Sequence, residues 1–237
     1  MSERESTIAS NLAALWRRIE TACRAAGRSP DEVRLLLASK TQPPERIREA
    51  FAAGATLFGE NRVQELLRKA PSLSDLPIEW HMIGHLQTNK VRQIVGQVQV
   101  IQSVDRISLV EALERELEKR DARIRVYLQV NTSGEETKSG VRPEEAESLA
   151  RAILRSGRLE LEGLMTIATN SPDPEEARRC FRLLREVQDR LLELGLGEPR
   201  QLSMGMSGDL EVAIEEGSTL LRVGSAVFGE RTAPQGT

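Results

Sequence analysis

"LLLASKTQPPERIREAFAAG", residues 35–54, contains the unit from which the rest of the chain is built: an apolar run, a lysine, a turn and an amphipathic segment. A strand buried on both faces reads as a short continuous apolar run. Val33 to Ala38 has that form, and Gln42, Pro43 and Pro44 cannot continue it. Lys40 therefore stands at the exit of a strand. Residues 43–54 then carry apolar side chains every three or four positions, which is a helical period.

The same alternation recurs along the chain. Strand-like runs occupy 33–40, 55–60, 79–84, 98–104, 123–131, 159–168, 200–205 and 220–229. Helical patterns such as 61–70, 105–120, 143–157, 174–195 and 209–217 lie between them. Alternating strands and helices imply a parallel sheet with helices outside. About eight such units in a chain of 237 residues match a closed (β/α)8 TIM barrel. An open doubly wound sheet is the alternative, but the first strand–helix turn lacks the glycine fingerprint of a dinucleotide fold. The expectation is an α/β protein with one barrel domain over residues 1–237. It begins with an extra N-terminal helix (1–27), on which Ile8, Leu12, Leu15, Trp16 and Ile19 fall at helical spacing, and ends in a loose tail (232–237).

Helix starts agree with this segmentation. Asp173-Pro174-Glu175-Glu176 places a cap, a first-turn proline and two acids in order, and Arg142-Pro143-Glu144-Glu145 is similar.

Composition narrows the function classes. Hydrophobic residues make up 39% and charged residues 29%, and no apolar stretch approaches the roughly 20 residues of a membrane span, so no membrane partner is expected. The polar start "MSERESTIAS" has no apolar signal core, and the expected location is cytoplasmic. Net charge is −3 with arginines mixed among acids, so no nucleic-acid partner is expected either. Cys23 and Cys180 stand singly in helical patterns and read as buried, inert thiols. His81 and His85 have a zinc-like spacing in "HMIGH", yet no glutamate follows the first and a glycine interrupts the pattern, so no metal is expected. No apolar stripe on the helix exteriors demands a partner, which suggests a monomer or weak homodimer.

In a barrel of this kind the chemistry sits at the C-terminal ends of the strands. Among the chain's lysines only Lys40 ends an apolar strand; Lys69, Lys90 and Lys119 fall in helical segments and Lys138 in a polar loop. Desolvation there would lower an amine's pKa and make it a Schiff-base nucleophile, whereas a head group that merely snorkels to solvent is the plainer alternative. "SMGMSGD" brings Ser207 and the backbone near Gly208 to a helix start, a natural anion site, and "RVGS" brings Gly224 and Ser225 from the last strand. An ordinary N-cap serine and a corner glycine would read the same way. Strand alternation in "LLRVGS" turns Arg222 inward, where a guanidinium needs an acceptor, either a ligand or a buried carboxylate. Tyr127, Gln129 and Asn131 share the inward face of their strand, and Tyr127 reads as barrel packing. "SGEETKSG" lacks the glycine spacing of a nucleotide loop and reads as a solvated loop. No acyl-transfer elbow is present.

The phrases "ASKTQP", "FGENRVQE", "WHMIGHLQTNK", "VNTSGEETKSG", "GLMTIA", "LSMGMSGD" and "LRVGSAVFG", in this order, resemble the pyridoxal phosphate homeostasis proteins, a group similar to the barrel domain of alanine racemase. The resemblance runs from the first strand to the last. It implies pyridoxal 5'-phosphate bound as a Schiff base to Lys40, phosphate held by Ser207, Gly224 and Ser225, and Arg222 facing the pyridine nitrogen. Asn61, His81 and Met204 would line the cofactor pocket. The implied role is to hold the cofactor and pass it to apo-enzymes that need it, with no catalytic residue assigned. An arginine does not readily protonate the ring nitrogen, so the ring is a weaker electron sink than one paired with an aspartate. Alanine racemases carry a further β-domain that supplies a tyrosine. This chain is expected to lack that half, since it ends soon after "FGE". The rival readings are an amino-acid racemase using His81 or an unseen partner as second base, and a Schiff-base aldolase.

Overall fold

Each apolar run becomes a strand: β1 (Arg34–Ala38), β2 (Leu57–Glu60), β3 (Glu79–Met82), β4 (Val100–Val104), β5 (Ile124–Gln129), β6 (Leu159–Met165), β7 (Gln201–Ser203) and β8 (Leu220–Val223). The structure is a computed structural model in which residues 7–229 are described. All neighbours pair in parallel, in sequence order, and β8 returns to β1 to close the barrel. The helices are α1 (Ile8–Ala25), α2 (Pro44–Ala52), α3 (Val63–Lys69), α4 (Val91–Ile94), α5 (Ile107–Lys119), α6 (Ala146–Ser156), α7 (Pro174–Glu193), α8 (Leu210–Glu215) and α9 (Ser225–Phe228). This is the (β/α)8 TIM barrel that the alternation predicts.

Closure matters more for the site than any single element. In an open sheet β1 and β8 would not meet; here Leu36 pairs with Arg222 and Leu37 with Val223. The exits of the first and last strands therefore share one edge of the barrel mouth.

Strand alternation divides the apolar side chains into two cores. Leu37, Val126, Leu128, Leu221 and Val223 pack outward beneath the helices. Leu36, Leu57, Val100, Tyr127, Met165 and Leu220 pack inward. Tyr127 is fully buried among them, in keeping with a packing role. At the strand starts the interior is ionic: Arg34 and Arg125 reach Glu79 at 2.7 and 2.9 Å and Glu162 at 3.9 and 3.5 Å.

The N-terminal helix is shorter than expected, because Ala26 caps it before Gly27. Ile8, Leu12, Leu15 and Ile19 are buried as the spacing predicts, while Trp16 sits at the edge of that face, about one-third exposed. The helix braces the barrel mouth. Asn11 Nδ2 donates to Val227 O, and Arg18 donates to Glu211 and to Ser207 O. The expected tail, 232–237, lies outside the described residues, as do residues 1–6.

Local capping explains the helix starts. The Asp173 side chain accepts from Glu175 N at 2.9 Å with Pro174 at the first helical position. Glu145 accepts from Arg142 N at 3.1 Å where the chain enters α6. Cys23 and Cys180 are buried and not disulfide-bonded, and burial pushes the Cys23 thiol up. Among the described residues no helix is long and apolar enough to cross a membrane. No group of three or more His, Cys, Asp or Glu side chains among them is placed to hold a metal ion.

Candidate functional site

Lys40 leaves β1 where the backbone changes hand. Thr41 has φ +65°, a left-handed conformation that a β-branched residue adopts only when its surroundings hold it there. The grip comes from α3 and the exit of β2. Thr41 N donates to Glu65 Oε2 at 2.9 Å, and Lys69 Nζ donates to Ser39 O at 2.9 Å. Lys69 also pairs with Glu60 at 2.7 Å, and Ser39 Oγ donates to the same carboxylate oxygen at 2.7 Å. The backbone on both sides of Lys40 is thus clamped by a buried ionic cluster. Glu60 is fully buried, and burial pushes its carboxyl up against the opposing pull of Lys69 and Ser39.

Lys69, a helical lysine by its sequence pattern, is the cation at the centre of this cluster. The signal is in the spacing: Val63, Leu66 and Lys69 recur at i, i+3 and i+6 on one face, and the first two are buried.

The second wall comes from β8. Gly224 N-caps α9, and a Cβ there would lie 3.1 Å from Ala38 O, so a side chain would crowd the junction of the two strand exits. Ser225 opens α9, and its Oγ lies 3.3 Å from Ser207 Oγ. Ser207 reaches this place because the chain turns sharply after β7. Gly205 has φ +95°, and a Cβ there would fall 2.5 Å from Ala213 Cβ. Asp209, at the start of α8, accepts from Met206 N at 2.6 Å, and burial raises its carboxyl against that bond and the charge of Arg222.

Arg222 points into the barrel as the alternation requires, and it is buried. Its acceptors are neutral rather than carboxylate: Nη1 donates to Ser203 Oγ at 2.8 Å and Nη2 to Thr166 O at 2.7 Å. Burial lowers the guanidinium to about 10, opposed by the charge of Asp209. Two of its five N–H donors are engaged; the others have no hydrogen-bond partner among the described residues.

Lys40, Ser207, Arg222, Gly224 and Ser225, drawn from opposite ends of the sequence, line one cavity of about 420 Å³. Met206 lines it too, whereas Met204 is fully buried in the outer core, because Ser203 faces inward and the next residue must face out. Asn61 is placed at the exit of β2, so close to Gly84 that a Cβ there would be 2.1 Å from Asn61 O. Its Oδ1 is buried without a partner. His81 lies deeper, inside the barrel, with Nδ1 2.7 Å from Gln102 Nε2 and Nε2 3.1 Å from Glu79 Oε1. Neither Asn61 nor His81 is on the cavity wall. His81 and His85 do not share a helical face: His81 is in β3, while His85 is half-exposed and pairs with Asp105 at 3.4 Å.

The loop 131–142 is ordered by Asn131, whose Nδ2 donates to Glu135 O and whose Oδ1 accepts from Gly134 N. Lys138 is bound to Glu135 and to Ala168 O.

Chemically, the cavity offers an amine, a pair of hydroxyls, one at the start of α9 and one in the turn before α8, and a guanidinium with no counter-carboxylate hydrogen-bonded to it. Together these suit a ligand carrying an electrophilic carbonyl, an anionic group and a ring acceptor.

Comparison with known proteins adds to this geometry. The sequence pattern of the family described as "Alanine racemase, N-terminal domain" matches residues 10–232. The pyridoxal phosphate homeostasis protein of Aquifex aeolicus is 47% identical over 221 residues, covering 93% of this chain and 96% of that one. The structure of PipY from Synechococcus elongatus with PLP bound superposes with a TM-score of 0.82 at 34% identity, covering 94% of this chain and all of that one (100%). Alanine racemase from Corynebacterium glutamicum shares the fold, with a TM-score of 0.69 at 18% identity; 95% of this chain matches 63% of that one.

Proposed function

The chain belongs to the family of the alanine racemase N-terminal domain, and we propose that it is a pyridoxal 5'-phosphate-holding protein of the homeostasis type. The observation that carries this reading is the meeting of Lys40, the Ser207–Ser225 hydroxyl pair and Arg222 on one cavity. A cavity of about 420 Å³ is of the size that small-molecule sites use. The residues present fit the cofactor. The unengaged N–H groups of Arg222 would meet its ring nitrogen, the two serines and the backbone at Gly224 would hold its phosphate, and Lys40 would face its aldehyde. When bound, the cofactor would supply an aldehyde, with which the amine of Lys40 could condense with loss of water.

The chain's own residues then have separate tasks. Ser207, Gly224 and Ser225 hold the anion; the clamp on Ser39 and Thr41 orients Lys40; Arg222 receives the ring edge without giving up a proton. Met206 closes one side. Asn61, His81 and Met204, expected to line the pocket, are not on the wall of this cavity. Relatives named for pyridoxal phosphate homeostasis and a PLP-bound neighbour support holding rather than turnover. The racemase reading would need a second base, and His81 has both ring nitrogens engaged inside the barrel, while Tyr127 is buried in the inner core. The physiological role we infer is cytoplasmic buffering of the cofactor and its delivery to apo-enzymes, by a monomer or weak homodimer.

Ser207→Asp tests the site. The new carboxylate would stand against the phosphate, and like charges about 4 Å apart at an effective dielectric of about 20 repel by a few kcal/mol. Equilibrium titration should show pyridoxal 5'-phosphate binding weakened by about 100-fold, with binding of unphosphorylated pyridoxal unchanged. Equal loss for both ligands, or loss for neither, would remove Ser207 from the phosphate site.

A further inference from the structure

Polar side chains run in line through the barrel interior, from the cavity to its opposite end. Arg222 Nη1 donates to Ser203 Oγ at 2.8 Å, and Ser203 Oγ lies 2.6 Å from Gln102 Oε1. A carbonyl oxygen only accepts, so the serine proton goes to Gln102. Gln102 Nε2 lies 2.7 Å from His81 Nδ1; an amide nitrogen only donates, so Nδ1 is the bare nitrogen. His81 Nε2 lies 3.1 Å from Glu79 Oε1, and a carboxylate only accepts, so Nε2 carries the proton. Every link points the same way, from Arg222 down to Glu79. Reversing the amide of Gln102 would call for a proton on His81 Nδ1 as well as on Nε2. That is an imidazolium at a fully buried position, where burial already disfavours the charged ring. The chain ends on fixed charge: the His81 N–H, with Arg34 and Arg125 beside it, keeps the Glu79 carboxyl at about 2 against the opposing effect of burial.

We propose that His81, Gln102 and Ser203 are positioning residues that fix Arg222 for the ring end of the bound cofactor, a role that rests on reading Arg222 as the neighbour of the ring nitrogen. Arg222 has donors only, so Ser203 Oγ meets it with a lone pair, and the bond from the Ser203 proton to Gln102 holds the side chain in the rotamer that keeps Oγ against Nη1. The hydroxyl pins one edge of the guanidinium while Thr166 O pins the other. The donors that remain are left for a ligand in the cavity. Without the bond to Gln102, the Ser203 side chain could turn to another rotamer and carry Oγ away from Arg222, which would lose one of its two anchors. This also accounts for the presence of His81 in the interior with no contact to the cavity: it holds Gln102 in the amide orientation that Ser203 needs. Buried networks of this kind have high stakes, since a half-satisfied one is worse than an apolar core.

The test compares two ligands on the full chain: pyridoxal 5'-phosphate, and its analogue with carbon in place of the ring nitrogen and the same aldehyde and phosphate. Gln102→Leu and Ser203→Ala should each weaken the first by about tenfold, the scale of one hydrogen bond to a charged group, and the second by less than about twofold. Equal losses for both ligands would mean general loosening of the barrel and would overturn the proposal, as would no loss for either in variants with wild-type circular dichroism. If Gln102→Leu fails to fold, Ser203→Ala, the smaller change, decides. Nitrogen NMR of the wild-type chain near neutral pH should show His81 neutral and protonated on Nε2; an imidazolium or an Nδ1–H tautomer would contradict the chain's direction. A wild-type protein that binds neither ligand would instead overturn the functional reading itself.

Discussion

Lys40→Ala should lose the visible absorption band that wild-type protein develops with pyridoxal 5'-phosphate, while its melting curve stays close to wild type. The band depends on a covalent bond between the aldehyde and a lysine amine, and alanine supplies no amine. Lys40 is placed for this role by its position on the cavity wall and by the clamp on Ser39 and Thr41. Lys69 is paired with Glu60 and Lys138 with Glu135, and neither lines the cavity. The phosphate site proposed at Ser207, Gly224 and Ser225 does not depend on the Lys40 side chain. The variant should therefore still bind the cofactor, non-covalently and with reduced affinity, and inorganic phosphate should compete. An unchanged band in Lys40→Ala would sink the assignment.

Lys69→Met should be the most destabilising single change near the site. Removing one partner of a buried ion pair leaves the other uncompensated, at a cost of about 3–5 kcal/mol. Glu60 would be that partner, fully buried and 2.7 Å from the lost ammonium. For a chain of this size the loss corresponds to a fall of roughly 10 °C in Tm. The sign of its pH dependence follows from Glu60. Its folded-state pKa is raised by burial, and removing Lys69 removes the main group that opposes the rise. A carboxyl that holds its proton more tightly when folded contributes stability below its unfolded pKa and loses it as pH rises through the folded value. The deficit of Lys69→Met should thus be smallest in mild acid and grow toward neutral pH, and Glu60→Gln in the same background should recover part of it. Because the cluster grips both sides of Lys40, cofactor capture should slow as well. A Tm within about 2 °C of wild type at neutral pH would show that the cluster is not a stabilising clamp.

The barrel was legible in the sequence because its signals are local. Continuous apolar runs, the turn residues after them and the three-to-four periodicity between them are each set within a dozen residues, and closure follows from their number. The strand exits were legible for the same reason, which is why Lys40, Ser207, Gly224 and Ser225 could be named in advance and are found together on the cavity. What escaped depends on distance or on parity. The pairing of Leu36 with Arg222 joins residues far apart in the chain, and no local pattern encodes it. Met204 and Met206 have the same strand parity, outward once Ser203 faces in; the second reaches the cavity only because the left-handed turn at Gly205 breaks the alternation after β7. His81 was expected on the pocket wall, yet its partners are one strand over in β4 and at the base of its own strand. Lys69 is half legible: its place on the face of Val63 and Leu66 is in the spacing, while its partner Glu60, on another element, is not.

The most direct test of the central claim is borohydride reduction of the wild-type protein loaded with pyridoxal 5'-phosphate, followed by proteolysis and mass mapping of the adduct. The account predicts a single modified peptide with the reduced cofactor on Lys40. An adduct that maps to another lysine, or a loaded protein that yields none, would contradict it.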